Sequence, residues 1–169
     1  IHKCKKTASV GGTAKVVNVL KKYSYGKMDI IVHGQDRFQI GEVFEEKAYL
    51  EANITFLDDV YTPSSQKIEK LADQLRKVYV DMLKMSEQTL KINSIERLDL
   101  KTLSFLAGFH DIMSLPEKQE LLECRYLEER LATGLEAMKK MALIVKKNKK
   151  IDDLVMRNGH MPVRLTKGK

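Results

Sequence analysis

Few side chains in this 169-residue chain have the type and spacing that catalysis needs. Lys101 and Ser104 lie three positions apart on a predicted helix, where such side chains can touch, and serine beside a base is one form of activated nucleophile. Serine and lysine at helical spacing are also common on any protein surface, so we expect no catalysis from this pair. Adjacent carboxylates stand at predicted turns and helix surfaces, where water keeps them ordinary acids: Glu45-Glu46, Asp58-Asp59, Glu128-Glu129 and Asp152-Asp153. The sequence predicts no catalytic residue and no enzyme.

Metal and cofactor sites are not predicted either. The four histidines are His2, His33, His110 and His160, and none has the HxxxH or HExxH spacing of a helical metal site. Gly11-Gly12-Thr13 precedes β-branched residues, whereas a phosphate-binding glycine loop opens a helix. We therefore expect no metal and no cofactor.

The formal charge of +7 lies almost entirely at the C-terminal end. Residues 126–169 contain 11 Lys and Arg against 5 Asp and Glu, which gives 11 − 5 = +6. The run Lys146–Lys150 has no interleaved aromatic residue on which a base could stack, and the chain has no Trp. A solvated helix end fits this run better, since the helix dipole favours cations there, so we do not expect nucleic acid as a partner.

Cysteine usage and hydropathy suggest a compartment. Cys4 and Cys124 are far apart and form no CxxC motif, which predicts free thiols in a reducing environment. The sequence has no run of about 18 apolar residues and no apolar stretch after its basic start, so we predict neither a membrane span nor a signal peptide. We expect a cytoplasmic protein that does not associate with membranes.

The sequence predicts β structure in the first third of the chain. Apolar and β-branched residues recur with a period of two or in short runs separated by turn residues. A turn at residues 23–26 joins the first two runs as a hairpin, and Gly34 separates the second run from the third. The sequence thus predicts four strands near Val16–Leu20, Met28–Val32, Arg37–Ile40 and Tyr49–Leu57.

From Thr62 the apolar period becomes helical. Thr62 is a predicted N-cap, and Pro63 suits the first helical position because its missing N–H is not needed there. The apolar stripe of this helix, which extends to about Met85, consists of Ile68, Leu71, Leu75, Val78 and Met82. Further helices are predicted after the Asp99 cap, from about Pro116, and from Tyr126 to about Arg157, where Asn158-Gly159 stops the last one.

This order of elements predicts an α+β fold. We assign residues 1–61 to a β lobe, residues 62–157 to a helical lobe and residues 158–169 to a loose basic tail. A small closed barrel needs more than four strands, and the chain starts at Ile1 without an initiator Met. We therefore expect the first strands of the barrel to precede residue 1.

Three ordered segments of the β lobe resemble the N-terminal domain of Lon-type ATP-dependent proteases. Gly12-Thr13-Ala14-Lys15-Val16 is similar to the G-T-x-A-type strand of that family, residues 32–40 resemble its V-x-G-x-x-R-x-x-I signature, and residues 49–54 its Y-x-x-A-x-[VI] strand. Phe105-Leu106-Ala107 and residues 117–123, followed by Arg130-Leu131, are similar to its helical lobe. The resemblance covers about residues 10 to 150, but the proline-rich first strand of the family is absent.

The resemblance implies a PUA-like β lobe, packed with a helical lobe, that recognises protein substrates without cutting them. The ATPase and Ser-Lys protease modules of the family have no counterpart in these 169 residues. Implied partners are unfolded or apolar-rich polypeptides and, as a further option, other subunits of the same protein. Exposed apolar residues near the junction of the lobes are the candidate substrate-binding residues: Tyr23, Tyr25, Phe44 and Met113. The alternative is an RNA-binding PUA-like module.

Overall fold

The β-branched segments pair into one antiparallel sheet in the computed structural model, which describes residues 7–60, 63, 65–85 and 92–157. Strand β1 spans Val10–Lys22, β2 spans Met28–Phe44 and β3 spans Glu51–Phe56. Their order in the sheet is β1-β2-β3, and a short 3-10 turn at Ser24–Gly26 joins the first two. This sheet followed by helices confirms the predicted α+β class.

The prediction of four strands was wrong, because the described residues form three. Gly34 does not end a strand: it pairs with Ala14 in the middle of β2, and a register shift follows before Arg37 pairs with Gly12. The extra residue forms a bulge, which strands accommodate readily beside glycine. The Thr13 hydroxyl stabilises this bulge, since its oxygen accepts a hydrogen bond of 2.9 Å from the Asp36 N–H.

The structure divides into two compact units. The first contains residues 7–60 together with residues 115–126, and the second contains the described residues of 62–114 and 127–157. Helix α4, Leu115–Glu123, therefore belongs with the sheet. Its Gln119 side-chain amide donates to the Val10 carbonyl at 3.0 Å, and Val10 and Leu121 are both buried. A helical period in the sequence identifies such a helix but not the element on which it packs.

The second unit consists of helices. Their bounds are α1 Gln66–Met85, α2 Ile92–Glu96, α3 Leu100–Phe105 and α5 Leu127–Arg157, with a 3-10 turn at Leu106–Phe109 after α3. Helix α1 begins three residues later than predicted, because the Ser65 hydroxyl accepts the Ile68 N–H at 3.3 Å and so caps the first turn. The predicted cap, Thr62, and the predicted stop and tail from residue 158 lie outside the described residues.

The core of the second unit forms where α1 and α5 meet. Leu75, Leu103, Leu131 and Met138 are almost completely buried. The packing around Gly134 is close, since a β-carbon there would be in van der Waals contact with the Ala107 Cβ at 3.4 Å and with a Leu75 methyl group at 3.7 Å. Asp99 caps α3 as predicted, accepting the Thr102 N–H at 2.9 Å. None of the helices in the described ranges is long and apolar enough to cross a membrane.

Candidate functional site

Arg37 fixes the sheet of the first unit to the end of α4. Its guanidinium donates to the carbonyls of Leu122 at 2.6 Å and Cys124 at 2.8 Å, and it forms an ion pair with Asp59. The side chain is only 8% exposed. The planar fork of arginine can serve several acceptors at once, which lysine cannot do. Arg37, part of the V-x-G-x-x-R-x-x-I signature, is thus a structural residue that orders the base of the hairpin.

The distal half of the hairpin concentrates apolar side chains on one face. Residues directly opposite in an antiparallel pair point to the same side, and alternate residues along a strand share a face. Val16 pairs with Val32, Val19 with Ile30 and Lys22 with Met28. Asp29, Ile31 and His33 alternate with these residues and point to the other face. One face therefore carries five apolar side chains, and we call it the apolar ribbon face: Val16, Val19, Met28, Ile30 and Val32.

These five side chains are exposed. Their exposed fractions lie between 39% for Val19 and 53% for Met28. Apolar residues on one side of an antiparallel sheet normally pack against a core, and a contiguous exposed apolar patch commonly marks an interaction site. Sequence reasoning did not select these residues, because the run Ile30-Ile31-Val32 conceals the alternation that separates the two faces.

The predicted residues Tyr23 and Tyr25 lie at the tip of the hairpin. The Tyr23 hydroxyl donates to the Asp29 carboxylate at 2.7 Å, and this bond raises the pKa of Tyr23. Tyr25 is 99% exposed and has φ 73°, a conformation that costs a bulky residue roughly 1–2 kcal/mol. The Tyr25 side chain is exposed to water and its backbone is strained, so it contributes nothing to packing. Of the two tyrosines, Tyr25 is therefore the one whose position packing does not explain.

The other two predicted residues differ in exposure. Phe44 ends β2 and is half-buried. Met113, in the second unit, is only 5% exposed. A substrate cannot reach a side chain so deeply buried without a rearrangement, so Met113 does not meet the expectation of exposure. A sequence pattern that marks an apolar helix end cannot show whether the residue is covered.

Lys101 and Ser104 are not arranged for catalysis, because Ser104 is buried in the core while the Lys101 side chain is exposed. The Ser104 hydroxyl donates to the Lys101 carbonyl at 2.7 Å and accepts from the Arg130 guanidinium at 3.0 Å. Ser104 and Arg130 are fully buried, and Arg130 also lies 4.4 Å from the centre of the Phe105 ring. The hydroxyl is thus occupied on both sides and shielded from solvent.

The basic run Lys146–Lys150 lies within α5 rather than at its end, because the helix continues to Arg157. Its four lysines are exposed, and Lys149 reaches the Met85 carbonyl at 3.4 Å. Exposed apolar side chains also lie on this half of the helix: Leu143, Ile144, Ile151 and Leu154. Within residues 7–60, 63, 65–85 and 92–157, no group of three or more His, Cys, Asp or Glu side chains is placed to hold a metal ion.

Comparison with known proteins decides the family. Residues 1–140 match the model of the substrate-binding domain of the ATP-dependent protease La (LON). The chain belongs to the Lon substrate-binding domain family. The resemblance predicted from the three ordered β segments is thereby confirmed.

Curated Lon proteases are similar to this family member over most of its length. The Lon protease of Anaeromyxobacter dehalogenans is 28% identical over 151 residues, which is 87% of this chain and 18% of that protease. That of Flavobacterium johnsoniae is 31% identical over 140 residues, 76% of this chain and 16% of that protease. The chain thus spans less than a fifth of the length of these relatives.

A solved structure supports the Lon-type fold. The N-terminal domain of Mycobacterium avium complex Lon protease superposes with a TM-score of 0.66 over 82% of this chain and 74% of that one, at 24% identity. Such a likeness establishes the fold of a Lon N-terminal domain. The family match adds that the chain is a substrate-binding domain.

Proposed function

We propose that this chain is a non-catalytic domain that recognises and holds protein substrates for degradation by a Lon-type protease. Its substrates are unfolded or apolar-rich polypeptide segments. The observation that carries the proposal is the match of residues 1–140 to the Lon substrate-binding domain family, and the exposed apolar side chains of the β1–β2 ribbon are of the type such binding would use.

Apolar contacts suit this task physically. A domain that accepts many sequences cannot depend on a few directional hydrogen bonds, whereas burial of apolar surface is non-directional and tolerates different partners. An unfolded chain exposes apolar side chains that the folded protein hides. A surface of exposed Val, Ile and Met therefore distinguishes unfolded from folded protein without reading a sequence.

The proposal is tested by titrating the fluorescently labelled chain with a reduced, carboxymethylated model protein and with the same protein in its folded form. We expect binding of the unfolded form only. The affinity should be retained between about 50 mM and 500 mM salt, because the burial of apolar surface is not screened as exposed charges are.

Single-stranded RNA is the competing ligand in the same titration. RNA held by the exposed lysines of α5 would lose affinity steeply as salt rises. Tight, salt-sensitive RNA binding without polypeptide binding would contradict the proposed function and favour the RNA-binding alternative.

The predicted residue Tyr25 offers a variant that separates binding from stability. Tyr25→Asn should leave the fold at least as stable, because Asn tolerates positive φ better than Tyr does, and should weaken polypeptide binding by removing an exposed aromatic contact. Tyr49→Asn is the matched control, since Tyr49 is also exposed, at 61%, but lies before β3. Equal effects of the two substitutions would argue against a role of the hairpin tip. Tyr23 and Phe44 remain proposed contacts of the same unit.

A further inference from the structure

Two distant segments of the first unit are bonded to each other. The Val60 N–H donates to the Arg125 carbonyl at 3.0 Å, and the Arg125 Nε donates to the Asp58 carbonyl at 2.8 Å. Asp58 and Arg125 are 67 positions apart in the sequence. Both segments lie at points where the chain is about to leave the first unit, which contains residues 7–60 and 115–126.

Arg37 joins the same two segments from strand β2. Its guanidinium donates to the carbonyls of Leu122 and Cys124. The same guanidinium forms an ion pair with Asp59, and the Arg37 carbonyl accepts the Leu57 N–H at 2.8 Å. One arginine therefore holds the chain after β3 and the end of α4 in place at once. We call this set of contacts the connector clasp, which consists of Arg37, residues 57–60 and residues 122–125.

In the sequence, the connector clasp immediately precedes the two long helices of the second unit. Helix α1 begins at Gln66 and α5 begins at Leu127. Only residues 61–65 lie between the clasp and α1, and only Tyr126 lies between the clasp and α5. The clasp thus joins the two chain segments from which both helices start.

Within the second unit, α1 and α5 pair in parallel. Lys67 forms an ion pair with Glu128 at 2.5 Å near both helix starts. The Lys149 ammonium reaches the Met85 carbonyl at 3.4 Å, where α1 ends. Two helices that are paired in this direction must have their starts close to each other.

Bringing these two starts together is costly for an open chain. The helices begin about 60 residues apart in the sequence, and closing a loop of that length reduces the conformational entropy of the chain. Once the clasp is formed, only the short segments between the clasp and each helix keep that freedom. The clasp therefore acts on the helix pair as a cross-link does on the chain that it closes, except that it is not covalent.

We propose that the connector clasp is a conformational device that couples the two units: opening it destabilises α1 and α5 although no residue of these helices is changed. The inference goes beyond the proposed function and does not depend on what the chain binds. A purely local role of Arg37 would affect the sheet and α4 alone, whereas the coupling extends to the helices of the second unit.

Native-state hydrogen exchange, read by mass spectrometry, measures the stability of each element separately. Arg37→Lys keeps the charge but lacks the planar fork that serves several acceptors. Amides around Leu75 in α1 and Leu131 in α5 should then exchange about tenfold faster. Arg125→Ala is the milder variant, because it removes only the bond to Asp58. It should accelerate the same amides about threefold.

The matched control for Arg125→Ala is Tyr23→Phe. This substitution also removes one exposed hydrogen bond from the first unit, the bond to Asp29, but at the tip of the hairpin. Exchange in α1 and α5 should stay as it is in the unaltered chain.

A covalent clasp provides a rescue experiment. Val60 and Arg125 share a backbone hydrogen bond and are thus near enough for a disulfide. In a chain with Cys4→Ser and Cys124→Ser, the pair Val60→Cys/Arg125→Cys is combined with Arg37→Lys. When this disulfide is oxidised, exchange in α1 and α5 should return to the slow rate of the unaltered chain, and reduction should remove the rescue.

The possible outcomes decide the inference. It is overturned if Arg37→Lys and Arg125→Ala accelerate exchange in the sheet and α4 while α1 and α5 exchange as before. It also fails if Tyr23→Phe accelerates α1 and α5 as much as Arg125→Ala does, because any loss in the first unit would then be transmitted. If Arg37→Lys prevents folding, Arg125→Ala and its control decide alone.

Discussion

Individual buried polar side chains hold each unit together at defined points. Arg37 serves two carbonyls at the end of α4 and the Asp59 carboxylate, and Arg130 serves Ser104 and the Phe105 ring. A buried guanidinium is stabilising only when its donors are satisfied, and removing its partners leaves a costly uncompensated charge. The two arginines are therefore structural residues, although their polarity alone would suggest a functional site.

Tyr79 is the contrasting case of a buried polar group. It is 2% exposed, its ring centre lies 5.6 Å from that of His110, and its hydroxyl has no hydrogen-bond partner within the described residues. Burial raises the pKa of Tyr79 above its ordinary value. Tyr79→Phe should raise the free energy of unfolding at pH 7 by up to about 1 kcal/mol, because it removes an unsatisfied buried group.

The same variant should change the pH dependence of stability. An unfolded tyrosine ionises near pH 10, whereas the folded side chain keeps its proton to higher pH, so this tyrosine costs stability as pH rises above about 10. The advantage of the Phe variant should therefore grow between pH 7 and about 10.5 in urea unfolding, with exposed Tyr49→Phe as control. A loss of more than about 1 kcal/mol at pH 7 would mean that the hydroxyl is hydrogen-bonded after all.

At the scale of elements, the two units differ in how completely their apolar residues are covered. Helices α1 and α5 bury their stripe against each other, with Leu75 and Leu131 at 0% exposure. The β1–β2 ribbon leaves its apolar side chains in solvent along its distal half. One element is thus shaped by core packing, while the described residues leave the apolar side chains of the other uncovered.

The α1–α5 contact at Gly134 gives a quantitative test of this packing. Gly134→Ala should stabilise the chain by up to about 1 kcal/mol, since Ala favours the helix and its methyl group would fit at 3.4 Å from the Ala107 Cβ. Gly134→Leu should instead destabilise it by about 1–3 kcal/mol through overpacking. Urea unfolding of both variants measures the difference. Should Leu be tolerated as well as Ala, the helices would not be in the close contact described.

For the molecule as a whole, two findings define the function to be tested: the family to which the chain belongs and the fraction of the related proteases that it spans. The chain belongs to the Lon substrate-binding family and spans less than a fifth of the curated proteases it matches. No motif for phosphate binding or for an activated nucleophile is present in its 169 residues.

We accordingly expect the purified 169-residue chain to hydrolyse neither ATP nor peptides. The physical reason is that hydrolysis requires a held phosphate or an activated nucleophile, and Ser104 is buried and fully engaged. Phosphate release and cleavage of a fluorogenic peptide measure these activities after repeated purification. Turnover that persists through purification and disappears on a single substitution in this chain would refute the non-catalytic assignment.

The amino-acid sequence by itself determined the class of fold, the family and most helices. Local signals suffice for these properties: the period of two around residues 28–32, the helical stripe through Leu75, the Asp99 cap and the ordered β motifs. The start of α1 was missed by three residues: the helix begins at Gln66, and the Ser65 hydroxyl accepts the Ile68 N–H there. Periodicity places a helix more reliably than it places its ends.

Only the tertiary structure decided what each element packs on and which apolar residues stay exposed. Helix α4 joins the sheet through Arg37 and Gln119, a pairing of residues more than 80 positions apart that no local pattern encodes. Met113 is buried while Val16 and Val32 are exposed, although all three are apolar in sequence. Exposure depends on which element covers a residue, and that is set by long-range contacts rather than by the residue itself.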